Sequence, residues 1–164
     1  MIPNQEAIQI MKILPQNNIA YVGKVTIIKK VNGNTFEKRV CNNGTVDLFV
    51  LLAKTIAGYD ETKNIPKFLR IEDSNGNAVS KLCPLTGIVY TKLEQTAKTT
   101  FNCVLTKDDL IVTNFSIESD YKLCLYNLLN VKLATVDIKG DAVSGVNSNG
   151  TETDIIWELE FGNR

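Results

Sequence analysis

The dipeptides Asn32-Gly33, Asn75-Gly76 and Asn149-Gly150 each follow one apolar segment and precede another. An Asn-Gly flanked by β-rich runs is the strongest short-range signal for a hairpin, because its two residues accept the positive φ angles of the tight turn. The clearest case joins Ile19 to Val31, rich in Val, Ile and Tyr, with Thr35 to Cys41. Further strands are predicted at Lys67 to Glu72, Gly87 to Leu93, Thr99 to Leu105, Leu110 to Ile117, Tyr121 to Leu129, Lys132 to Ile138 and Asp154 to Phe161. Short strands at this spacing imply a mainly β fold, an antiparallel β-sandwich or partly open barrel. A chain of 164 residues can enclose one such core without covalent staples.

One segment departs from this pattern. Leu48, Leu51, Leu52 and Ile56 recur at helical spacing between Gly44/Thr45 and Gly58, so one helix is predicted near residues 45–57. Phe49, Val50 and Ala53 fall on its other sides, which predicts burial on more than one face, against the open side of the sheet or a neighbouring subunit. At the other end of the chain Ile155, Trp157, Leu159 and Phe161 alternate with Ile156, Glu158 and Glu160, and period two places the only tryptophan inward. Lys139 to Thr153, with three glycines and two asparagines, reads as a long exposed connection.

Residues 1–18 stand apart as an N-terminal arm, with the β-rich domain spanning 19–164. Ile8, Ile10, Met11, Ile13 and Leu14 are candidate subunit-interface residues, because a stretch closed by Pro15 is too short to fold alone and needs a surface to dock on. That surface is either its own domain or a neighbouring copy. Glu6 stands where a signal peptide is basic, and no run reaches the roughly 18–20 apolar residues of a membrane span, so cytosolic synthesis without a membrane partner is expected.

Candidate chemistry is sparse. Histidine is absent, which removes the usual general base and the commonest metal ligand. Cys41, Cys83, Cys103 and Cys124 form no C-x-x-C pair, and reduced core thiols are expected rather than a disulfide scaffold. Glu158 and Glu160 share a strand face, as acid/base carboxylates do, but alternation alone puts polar residues there. Asp73-Ser74-Asn75-Gly76-Asn77 clusters oxygen ligands without EF-hand spacing, and a hairpin turn explains every residue. Lys24, Lys29, Lys30, Lys38 and Arg39 make the first hairpin basic; with few aromatics beside them they read as protection against edge pairing rather than a nucleic-acid site. Lys+Arg and Asp+Glu balance at 18 each. No phosphate loop, nucleophile elbow or H-E-x-x-H occurs, so no enzyme activity, cofactor, metal or small-molecule substrate is expected.

Taken in order, Cys41-Asn42-Asn43-Gly44-Thr45 leading into Leu48-Phe49-Val50-Leu51-Leu52-Ala53 and Ile56-Ala57-Gly58, then Pro66-Lys67-Phe68-Leu69-Arg70-Ile71, then Ile155-Ile156-Trp157-Glu158-Leu159-Glu160-Phe161, form a longer pattern. It resembles small structural domains of tailed-bacteriophage virions, including those of crAss-like phages, over residues 40–163. In that family an N-x-G turn opens a leucine-rich helix, a strand follows a proline, and a W-x-L-x-F strand closes the domain. The chain departs from it at Ile71-Glu72-Asp73-Ser74, where many relatives carry a glycine-rich turn. The resemblance implies a homo-oligomeric ring, collar, fibre-base or tail subunit, assembled in the host cytoplasm and residing in the virion with other virion proteins as partners. The contrasting expectation is a carbohydrate-binding β-sandwich, which requires exposed aromatics on one face.

Overall fold

The computed structural model describes residues 19–31, 34–44, 46–147 and 152–163. Among the described residues the strands are β1 (Ile19–Val31), β2 (Asn34–Gly44), β3 (Phe68–Asp73), β4 (Cys83–Pro84), β5 (Thr86–Lys92), β6 (Thr96–Leu105), β7 (Asp120–Tyr126), β8 (Lys132–Lys139) and β9 (Glu152–Asn163), and the α-helix is α1 (Val46–Ile56). They form one hydrogen-bonded array in the order β4-β3-β7-β8-β2-β1-β9-β6-β5, and every pairing is antiparallel.

The array folds over at β2. That strand pairs with β1 from Asn34 to Asn42, and then its last residues, Asn43 and Gly44, pair with Thr135 and Ala134 of β8. Two layers result, β5-β6-β9-β1-β2 and β8-β7-β3-β4, which gives the mainly β, sandwich-like fold expected from the turn spacing. Val25, Phe101, Ile155 and Trp157 of the first layer share one buried cluster with Leu69, Ile71, Leu123 and Val136 of the second. On β9 the alternation holds: Thr153, Ile155, Trp157 and Leu159 are buried, while Glu158 and Glu160 take the opposite face.

The first hairpin forms where the sequence predicts it, with Val31 opposite Asn34. At Asn75-Gly76 the Asp73 carboxylate accepts the backbone N–H groups of Asn75 and Asn77, each at 2.9 Å, so its oxygens serve the turn. Asn149-Gly150 and the arm residues Ile8, Ile10, Met11, Ile13 and Leu14 lie outside the described residues.

Three expectations need correction. Leu110 to Ile117 is not a strand: it crosses from β6 in one layer to β7 in the other, where no strand lies alongside it, and makes only a single bridge, Leu110 to Ser80. Phe115 anchors this crossover by stacking on Tyr121, with ring centroids 4.8 Å apart. Next, β7 stops at Tyr126 because the Asn127 side chain accepts the N–H groups of Leu129 and Val131 and turns the chain. Lastly, residues 140–147 are not a loose connection but 3-10 turns that bury Ala142 and Val143. Gly140 permits this packing, since a Cβ there would lie 2.0 Å from the Ser116 carbonyl oxygen.

Helix α1 ends as predicted: Gly58, at φ +87°, reverses the chain, and the Tyr59 N–H closes back onto the Lys54 carbonyl at 3.0 Å. Within the chain its burial is one-sided. Leu48 and Leu51 pack inward, while Phe49, Val50 and Ile56 remain exposed.

Candidate interaction surface

Strand β5 ends the array. Thr86, Val89, Tyr90, Thr91 and Lys92 pair with β6, with a register irregularity between Thr86 and Val89, and Leu93 N–H closes the turn onto the Thr96 carbonyl at 2.8 Å. β-Branched and aromatic residues make Thr86 to Lys92 a good strand, and among the described residues only β6 pairs with it. Ile88, Val89 and Tyr90 are 52%, 53% and 68% exposed, so successive side chains on both faces of the strand meet solvent. The second layer therefore does not reach under β5. Edge strands are commonly protected by charge; here Gly87 to Thr91 carries none, and Lys92 stands only at the end.

The same end of the first layer receives the N-terminal segment. Ile19 pairs with Asn163, Gly162 with Thr96, and Phe161 with Ala97, which in turn faces Lys92. With β9 and β6 between them, β1 and β5 stand about 14–15 Å apart at the usual inter-strand spacing. An extended chain covers that distance in roughly five residues, so the apolar residues ending at Leu14 are within reach of the β5 edge.

A second constellation lies on the outer face of the other layer, and no sequence signal marked it. Glu72 is fully buried, and its carboxylate accepts hydrogen bonds from Arg70 (Nη2 at 2.8 Å), Lys132 (Nζ at 2.6 Å) and the Tyr126 hydroxyl. The Arg70 guanidinium also stands 4.7 Å from the Tyr126 ring centroid. Burial alone would raise the Glu72 pKa, but the bonds from Lys132, Tyr126 and Arg70 outweigh it and hold the group below the ordinary carboxylate range. Burial and Glu72 together push Tyr126 up. Beside them burial, then Glu72, pushes the Cys124 thiol up to about 12. These bonds join β3, β7 and β8 through one buried carboxylate.

The remaining sequence candidates resolve into surface pairs. Lys98 is 3.5 Å from Glu158, and Glu160 accepts from the Thr96 hydroxyl at 2.7 Å. Lys30 pairs with Asp154 at 2.7 Å, and Lys29 donates to the Asp141 carbonyl and to Ser144. The basic hairpin is thus partly neutralised by its own neighbours; the side chains of Lys38 and Arg39 lie outside those described. Among the described residues no group of three potential metal ligands gathers, and no helix is long and apolar enough to cross a membrane. Trp157 is fully buried, which takes the one tryptophan away from any sugar-stacking face, while the exposed Tyr59 and Tyr90 belong to different elements. Comparison of the chain with protein-family models, with curated proteins and with solved structures finds no match.

Proposed function

We propose that the chain is a non-enzymatic structural or assembly subunit, of the tailed-bacteriophage virion kind that its sequence pattern resembles. It works through protein–protein interfaces, with copies of itself and with other virion proteins, at a ring, collar, fibre-base or tail position. The observation that carries this reading is the uncharged, exposed edge of β5, where Ile88, Val89 and Tyr90 stand in solvent. An open edge of this composition is completed by a further strand, with main-chain hydrogen bonds giving affinity and alternate side chains giving register. The occupant is residues 1–18 of a second copy, because that segment carries Ile8, Ile10, Met11, Ile13 and Leu14 and joins the domain at the same end of the layer.

Light scattering after size exclusion tests the proposal on three proteins: the full chain, a variant lacking residues 2–18, and Val89→Lys. Assembly in the full chain that is weakened in both variants, with melting temperatures unchanged, is the expected result. A full chain that stays monomeric at high concentration and fails to join purified virion proteins overturns it. So does a deletion that lowers the melting temperature without changing the mass, since the arm then covers its own domain. Specific retention on a glycan array, lost in Tyr90→Ala, would place the carbohydrate-binding reading ahead.

A further inference from the structure

Helix α1, the turn before β3 and the bend after β7 line a cavity of about 110 Å³. Glu61 is one of its walls and is only 8% exposed. Its Oε2 accepts the side-chain N–H of Asn64; among the described residues nothing bonds to its Oε1 and no lysine or arginine pairs with it. The turn holds the two side chains together, because the backbone N–H groups of Asn64 and Ile65 both close onto the Glu61 carbonyl, at 2.9 and 3.2 Å. We propose that this cavity is a binding site for an organic cation, the ammonium of a lysine or the guanidinium of an arginine, presented by a partner protein.

The lining selects that chemistry. Three of its side chains carry acceptors that no described donor uses: Glu61 at Oε1, Asn64 at the oxygen left once its nitrogen has gone to Glu61, and Asp47 on α1. Lysine and arginine heads are donors only, so they match a set of acceptors. Leu51, Val131 and Leu133 supply apolar wall of the kind that a methylene stem packs on. The volume is the room of roughly three to four waters, which suits such a head with its nearest methylene. A metal ion fits less well: the Asn127 oxygen is spent on the N–H groups of Leu129 and Val131, and no group of three potential metal ligands gathers among the described residues.

Burying a carboxylate without a counter-charge is costly, so a cation here gains more than one in an exposed pair. The surroundings favour a protein as its carrier. Phe49 and Val50 on α1, and Leu128 and Leu129 directly after Asn127, are exposed apolar residues that a protein surface covers and a free amine leaves in water. Lys54 also lines the cavity, exposed and without an ion pair among the described residues, and is the internal competitor for the site. No residue of β5 takes part, so this site stands or falls apart from assembly through that edge.

The test titrates the full chain with Nα-acetyl-lysinamide, Nα-acetyl-argininamide and the neutral isostere Nα-acetyl-citrullinamide at physiological salt, read by saturation-transfer NMR. The expected result is a millimolar dissociation constant for a cationic probe and none measurable for citrulline; the tighter of the two cations names the side chain that the partner presents. Glu61→Gln should weaken that binding at least about tenfold. Val50→Trp, which fills the exposed mouth without touching the core, should abolish it, and keeps the test valid if the glutamine variant folds poorly. Val89→Lys on β5 should leave it unchanged. Cationic probes held no better than citrulline, binding that survives both Glu61→Gln and Val50→Trp, or binding that emerges only in Lys54→Gln, where the chain's own lysine had filled the cavity, would each overturn the proposal.

Discussion

Replacing Glu72 with glutamine removes one negative charge and changes almost no volume. In the native protein that carboxylate holds Arg70 and Lys132, whose side chains are 21% and 34% exposed, while its own is 1% exposed. Breaking a buried ion pair from one side costs about 3–5 kcal/mol because the partner charge is stranded. Here the two stranded cations retain some water, which lowers the expected cost to about 3 kcal/mol, a melting-temperature drop of roughly 6–12 °C for a chain of this size. The pH dependence follows from the depressed folded-state pKa. The ionised carboxylate stabilises the fold in full above its unfolded value, near 4.5, and that contribution is lost as pH falls through the folded pKa. Urea unfolding of the native protein and Glu72→Gln should therefore show a constant gap from pH 6 to 8 that narrows below about pH 4.5. A triple replacement, Arg70→Met with Glu72→Leu and Lys132→Met, should recover most of the loss, because no charge is left buried. A glutamine variant within about 0.5 kcal/mol of the native protein at pH 7 would refute the reasoning, since the cluster would then be behaving as an exposed pair.

Trp157→Ala should cost about 3–5 kcal/mol and lower soluble yield. Trp157→Phe should cost much less, since the indole N–H has no hydrogen-bond partner among the described residues; equal losses in chemical denaturation would show that this N–H is in fact satisfied. The native tryptophan fluorescence should be blue-shifted and resist iodide, and free quenching would contradict its burial. Gly140→Ala should destabilise by about 2–3 kcal/mol, because its Cβ meets backbone at Ser116 and Ile117 rather than a movable side chain; a neutral result in thermal unfolding would mean that the crossover can shift away.

The legible parts of this fold were those whose cause is local. Asn32-Gly33 set the first hairpin because a two-residue turn fixes its own register, and the alternation from Ile155 to Leu159 assigned the faces of β9. Residues 110–117 carry the same β-forming side chains but lie where no neighbouring strand is on offer, and propensity cannot register a missing neighbour. β4 was missed because two residues ending in Pro84 have no period. The exposure of β5 depends on its place at the end of the strand order, and the one-sided burial of α1 on what happens to lie over it. The Glu72 cluster gathers partners as far as 54 and 60 positions away, so nothing around Glu72 announces it. The arm residues Ile8 to Leu14, singled out as an interface, fall outside the described residues.

The position of β9 bears on how the chain reaches this state. β9, the last of the described strands in chain order, is the middle strand of its layer, flanked by β1 and β6 along nearly its whole length. Until it arrives, β1 and β6 both present unpaired edges, and the cavity that Trp157 fills stands open. Pairings such as Ile19 with Asn163 join residues far apart in the chain, so folding should be slow for a domain of this size. The species present before that step has two adhesive edges in addition to β5, and it is there, rather than in the native state, that misassembly between chains competes with folding.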